Sequence, residues 1–118
     1  MPTIANSKPT VELLLLTLSP DGQAYLNREA SRYLPAPLHQ VRLVPPAPGR
    51  ESWWLLPEVP GGVRVRARPD RLGYLRFWAP GLAAHAFAAH PPGTARIYLE
   101  LAPLPQGWFA LHFIGTDA

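Results

Sequence analysis

Two stretches of the chain carry the same turn. Ser19-Pro20-Asp21-Gly22-Gln23-Ala24-Tyr25-Leu26 aligns with Arg68-Pro69-Asp70-Arg71-Leu72-Gly73-Tyr74-Leu75 at a constant offset of 49, with Pro-Asp and Tyr-Leu coinciding. Further on, Ser52-Trp53-Trp54-Leu55-Leu56 aligns with Gly107-Trp108-Phe109-Ala110-Leu111 at an offset of 55, so the second copy holds six additional residues between its anchors. Repetition of this length constrains the fold more than any single residue does, because each copy must be one supersecondary unit whose open face the other copy buries. The repeat covers residues 11–58 and 62–115, and at 118 residues the chain is expected to form a single domain holding both copies.

Each copy spells out short elements. Val11 to Leu18 is rich in apolar residues and predicts a strand buried on both faces. Pro20-Asp21-Gly22 supplies a preset φ, a side chain that closes the bend and a residue free to take positive φ, which makes a hairpin turn toward a partner strand at Gln23 to Leu26. Asn27 is placed to cap a helix from Arg28 to Leu34, which Pro35 and Pro37 end. His39 to Val44 and Ser52 to Leu56 predict a second hairpin across the proline-rich loop Pro45 to Arg50. In the second copy Val63-Arg64-Val65-Arg66-Ala67-Arg68 alternates apolar and basic residues, so one face packs and the other presents guanidiniums. Leu72 to Phe77 answers it, Pro80 starts a helix through Gly81 to His90, and Ala95 to Leu101 with Trp108 to Ile114 forms the closing hairpin. The expected fold is mostly β (α+β): two tandem ββαββ units in one antiparallel sheet or barrel with two short helices.

Composition narrows the function. There are no cysteines, which removes a disulfide framework, a thiol nucleophile and cysteine-held metals. The longest apolar run, Leu13 to Leu16, falls far short of the roughly 20 residues that cross a bilayer, and Glu12 interrupts the region that could pose as a signal-peptide core. A soluble, cytoplasmic protein without membrane association is expected. Sixteen prolines imply short elements with rigid joints. The net charge of +3 rests on ten arginines and one lysine, Lys8, so cationic contacts fall almost wholly to the planar, forked guanidinium.

The order strand, glycine turn, strand, short helix, hairpin, carried by Asp21-Gly22-Gln23-Ala24-Tyr25-Leu26-Asn27-Arg28-Glu29-Ala30-Ser31-Arg32-Tyr33-Leu34, resembles one copy of the swapped-hairpin AbrB/MraZ family of DNA-binding proteins. In that family two such units intertwine into one barrel, which a tandem duplication would supply within one polypeptide. Asn27 stands where the family usually has Pro, and Leu34-Pro35-Ala36-Pro37-Leu38-His39 lacks its usual glycine pairs. Cut differently, the four strands from His39 to Phe77 and the helix at Pro80 resemble a ββββα unit of the Pur-alpha/Whirly class. Both resemblances imply nucleic-acid binding.

Between Gly62 and Pro80 stand Arg64, Arg66, Arg68, Arg71 and Arg76 against one acid, Asp70, a local charge of +4 that exceeds the net charge of the chain. Along a strand Arg64, Arg66 and Arg68 repeat at about 6.6–6.8 Å, near the phosphate spacing of one nucleic-acid strand. The expected nucleic-acid contacts are these five, with Arg28 and Arg32 supporting from the first helix; the alternative is an edge strand guarded by charge against edge-to-edge pairing. Trp54 and Trp108 are expected to pack, and one of Trp53 or Trp78 to be exposed for base stacking. His85 and His90, five apart, do not share a helix face, and His39 and His112 have no acidic neighbour in sequence, so no metal or cofactor is expected. The acids are scattered and Ser7, Ser19, Ser31 and Ser52 lie in no nucleophile elbow, so no catalytic residue is assigned and the protein is not expected to be an enzyme. The expected function is a small nucleic-acid-binding protein, a transcriptional regulator or architectural factor favouring DNA over RNA. The alternative is a protein interaction or structural module, and a homodimer stays open.

Overall fold

The computed structural model of the chain describes residues 13–35, 37–66 and 74–118. The elements are β1 (Leu15–Leu18), β2 (Gln23–Leu26), α1 (Arg28–Tyr33), β3 (Gln40–Val44), β4 (Trp53–Pro57), β5 (Val63–Arg64), β6 (Leu75–Trp78), α2 (Pro80–Ala88), β7 (Arg96–Pro103) and β8 (Phe109–Asp117). All pairings are antiparallel, and the eight strands form one sheet in the order β5-β3-β4-β8-β7-β1-β2-β6. An isolated bridge between Arg66 and Arg76 brings the two ends together, which makes a nearly closed barrel. The mostly β, α+β class with two short helices therefore holds. The pairing is unchanged when β1–β4 exchange with β5–β8: β1 pairs with β7 as β5 pairs with β3, while β2 and β6, and β4 and β8, pair with one another.

Period-two alternation builds the interior. Leu16 and Leu18 of β1, Ala24 and Leu26 of β2, Val41 of β3, Leu55 of β4, Phe77 of β6, Ile97, Leu99 and Leu101 of β7, and Phe109 and Leu111 of β8 all point inward into one apolar cluster. The helices close the barrel at its two ends. The α1 helix contributes Ala30, followed by Leu34, and α2 contributes Leu82, with Ala86 and Phe87 packed against the cluster.

The turns follow their residue chemistry. Gly22 adopts φ +98°, and a Cβ there would meet Pro80 Cα at 3.2 Å, so this glycine supplies both the bend and room for α2. Its carbonyl accepts the Ala79 N–H at 2.7 Å, tying the first hairpin to the start of α2. The Asn27 side chain caps α1 by accepting from Ala30 N at 2.8 Å and also accepts from Leu15 N at 3.2 Å, while its amide donates to the Leu13 carbonyl at 2.8 Å. One polar residue thus joins helix and first strand.

Several boundaries differ from expectation. The first strand is ordered as β from Leu15, and its predicted start at Val11 lies outside the described residues. Among the described residues the alternating segment forms a ladder at Val63–Arg64 plus the bridge at Arg66, because its partner β3 pairs with it at two positions. Arg68 and Arg71 lie outside the described residues. β8 runs to Asp117, three residues beyond the expected Ile114, since β7 pairs along its length.

Candidate nucleic-acid interface

The arginine-bearing segment owes its position to Gly62. A Cβ at this residue would stand 2.3 Å from the Val41 carbonyl oxygen, so only glycine lets the chain approach β3 closely enough to begin β5. From there the alternation works as its residues require: Val65 is buried and donates its N–H to the His39 carbonyl at 2.8 Å, while Arg64 and Arg66 are exposed. On the facing strand Phe77 is buried, Arg76 is half-buried and Trp78 is 49% exposed. Gln23 of β2 is directly opposite Trp78, and Tyr25 opposite Arg76, on that same outer face.

Among the described residues the seam between β5 and β6 is where the barrel is least zipped. Arg66 donates its N–H to the Arg76 carbonyl at 2.8 Å, and among the described residues no further rung joins the two strands. Register alone would set Arg64 opposite Trp78; instead the strands part there, leaving a groove of about 480 Å³ lined by Gln23, Val63, Arg64, Arg66, Arg76, Phe77 and Trp78. Directly opposed residues share a face with Cβ atoms about 4.5–5.5 Å apart, so Arg66 and Arg76 hold like charges against each other. None of Arg64, Arg66 and Arg76 forms an ion pair with a described residue. Three guanidiniums that only donate, beside an exposed indole, make a groove suited to an anion that carries flat apolar rings.

The remaining expected contacts are distributed elsewhere. Arg28 is exposed on α1, and Arg32 of the same helix is held at 2.8 Å by Glu29; neither lines the groove. Trp53 is not a stacking platform. Its position on β4 turns it toward the core cluster, edge-on to His85 with ring centroids 5.7 Å apart, and its indole N–H is buried without a partner among the described residues. Adjacent strand residues face opposite ways, and Leu55 fixes that parity by pointing inward, so Trp54 faces out. There it packs against Trp108 with centroids 5.8 Å apart under the Arg50 guanidinium, 4.2 Å from its ring. Of the two tryptophans expected to share one exposed role, Trp78 is the exposed one. Gln23 and Val63 also line the groove, and no local signal announced them; a cross-strand register places them there.

Below the seam, Glu58 takes φ 58° in the turn after β4 and accepts the His39 N–H, with His39 Nδ1 at 3.5 Å. The His39 backbone N–H holds its carboxyl below the ordinary carboxylate range, against a smaller opposing desolvation. On the far wall the Tyr98 hydroxyl donates to the Asp117 carboxylate, and that bond pushes the phenol above its usual value. Among the described residues no group of three His, Cys, Asp or Glu side chains is arranged to hold a metal ion, and no helix is long and apolar enough to cross a membrane. No family model, curated protein or solved structure matches the chain.

Proposed function

We propose that this barrel binds nucleic acid, DNA in preference to RNA, with the β5–β6 groove as its contact surface. One observation carries the reading: Arg64, Arg66 and Arg76 meet in a single groove beside the exposed Trp78, with no carboxylate paired to them among the described residues. Each guanidinium offers a forked contact to a phosphate, and Trp78 offers a ring face to an unstacked base. Arg68 and Arg71 extend the same basic segment in sequence. The exchange-symmetric pairing of the two strand sets is the arrangement implied by the swapped-hairpin resemblance, and it supports a role as a transcriptional regulator or architectural factor. Contacts of this kind grip the backbone and carry little sequence information.

Fluorescence anisotropy with labelled single-stranded and duplex oligonucleotides tests the role of the indole. Trp78→Ala is expected to weaken single-strand binding by about 1–3 kcal/mol, the worth of one stacked base. Duplex binding, which presents no free ring, should change much less. Wild-type protein that binds neither oligonucleotide at low salt overturns the proposal.

A further inference from the structure

The parted seam leads from the charged outer face toward an apolar hollow. Strand parity sets Arg64, Arg66, Arg76 and Trp78 on the outside, yet the groove between β5 and β6 is also walled by Val63 and Phe77, which pack with the core. Its opening therefore passes between the strands. Val63 and Trp78 also line a second space of about 340 Å³. Carried onward from the Arg66–Arg76 bridge, the register would set Val63 opposite Ala79, Gly62 opposite Pro80 and Gly61 opposite Gly81. All six residues line this second space instead, so it continues the same parting of the strands toward the first turn of α2. Leu43, Trp53 and Leu82 add apolar wall, and Arg42 is the only charged residue in the lining among the described residues.

The two spaces differ in chemistry and share one ring. The groove holds three guanidiniums without an ion pair among the described residues, the hollow is mostly apolar, and Trp78 borders both. An unpaired nucleotide is divided in the same way, into a charged phosphate and a flat base. We infer that the hollow receives the base of one unpaired nucleotide, which passes Trp78 while the neighbouring phosphates remain on Arg64, Arg66 and Arg76. This rests on the reading of the groove as a nucleic-acid surface and adds the feature that the surface selects. The hollow lies at the lower end of the roughly 300–1,000 Å³ of small-ligand sites, enough for a single one- or two-ring base. A base inside a duplex cannot enter without being unpaired and unstacked, whereas an extrahelical base meets least of that cost. The site therefore favours DNA carrying an unpaired base over fully paired DNA.

Anisotropy of the full chain with three labelled DNA duplexes tests this: one fully paired, one with a single bulged thymine, and one with an abasic residue in place of that thymine. The thymine bulge should bind about 5- to 150-fold more tightly than the abasic bulge, the range for one stacked base, and the abasic bulge should fall back to the paired duplex. Both bulges present the same phosphates, so their ratio should not change with salt. Gly81 offers a way to fill the hollow without strain, because it lines the wall and a Cβ there would meet no heavy atom within 4 Å. Gly81→Phe should remove the preference for the thymine bulge and leave the affinity for paired duplex as in wild type. Equal affinity of wild type for the two bulges, or a thymine preference that survives in Gly81→Phe, overturns the inference and leaves the phosphate contacts of the groove standing. Absence of binding to all three duplexes at low salt overturns the inference together with the reading of the groove.

Discussion

The two hairpins that open the two halves of the chain occupy equivalent places in the barrel and are built very differently. β1 and β2 pair at Leu16 with Leu26, Thr17 with Tyr25 and Leu18 with Ala24, and the outer face of that ladder carries no charge. Asn27 and Gly22 fasten its two ends to α1 and α2. Among the described residues β5 and β6 meet at one bridge, where two arginines oppose each other. Like charges directly opposite destabilise a ladder, so the arginines proposed to meet an anion are also the ones that loosen the second hairpin. An anion seated between Arg66 and Arg76 removes that repulsion. The comparison teaches that the seam and the groove have one cause, and that bound polyanion should tighten the barrel where it is open.

The comparison can be broken most forcefully at Gly62. Because a Cβ there collides with the Val41 carbonyl, Gly62→Ala should detach β5 from β3 and cost about 2–4 kcal/mol, measured by urea unfolding. A loss below half a kcal/mol would mean that β5 is not held by this approach. A smaller effect of opposite sign sharpens the contrast. Arg66→Thr removes the like-charge pair and places a β-branched residue in the ladder, so it should stabilise the protein by about 0.2–1 kcal/mol while weakening oligonucleotide binding. Amide exchange in β6 should slow in the same variant, and β1–β2 should not change. The smallest effect concerns the turn that steadies β3, the partner of β5. The Glu58 carboxyl titrates below its ordinary value in the folded chain, so its contribution is present above the unfolded pKa and lost as pH falls through the folded one. Thermal melts of Glu58→Gln should therefore sit slightly below wild type at neutral pH and converge with it in acid.

Much of the fold is written locally. The turn at Pro20-Asp21-Gly22, the cap at Asn27, Pro80 at the head of α2 and the parity of Val63-Arg64-Val65-Arg66 each act within a few residues, and each appears where its chemistry requires. The groove is less legible because it depends on register between distant segments. Nothing near Gln23 indicates that it stands opposite Trp78, and nothing near Arg66 indicates that Arg76 faces it. Trp53 and Trp54 are equivalent on a sequence line, and only the inward setting of Leu55 decides that Trp53 turns toward the core. Arg28 and Arg32 share the charge of the basic segment, yet the helix that bears them follows β2 and remains outside the groove.

The most direct measurement is the salt dependence of oligonucleotide affinity in wild type and in an Arg64→Ser, Arg66→Ser, Arg76→Ser variant whose circular dichroism and melt remain those of a folded barrel. If three phosphates are neutralised in the groove, log K for duplex falls against log salt with a slope about 2.7 units shallower in the variant than in wild type. Equal slopes and equal affinities would show that these arginines do not meet the phosphates, and the reading of the seam as a polyanion surface would fall.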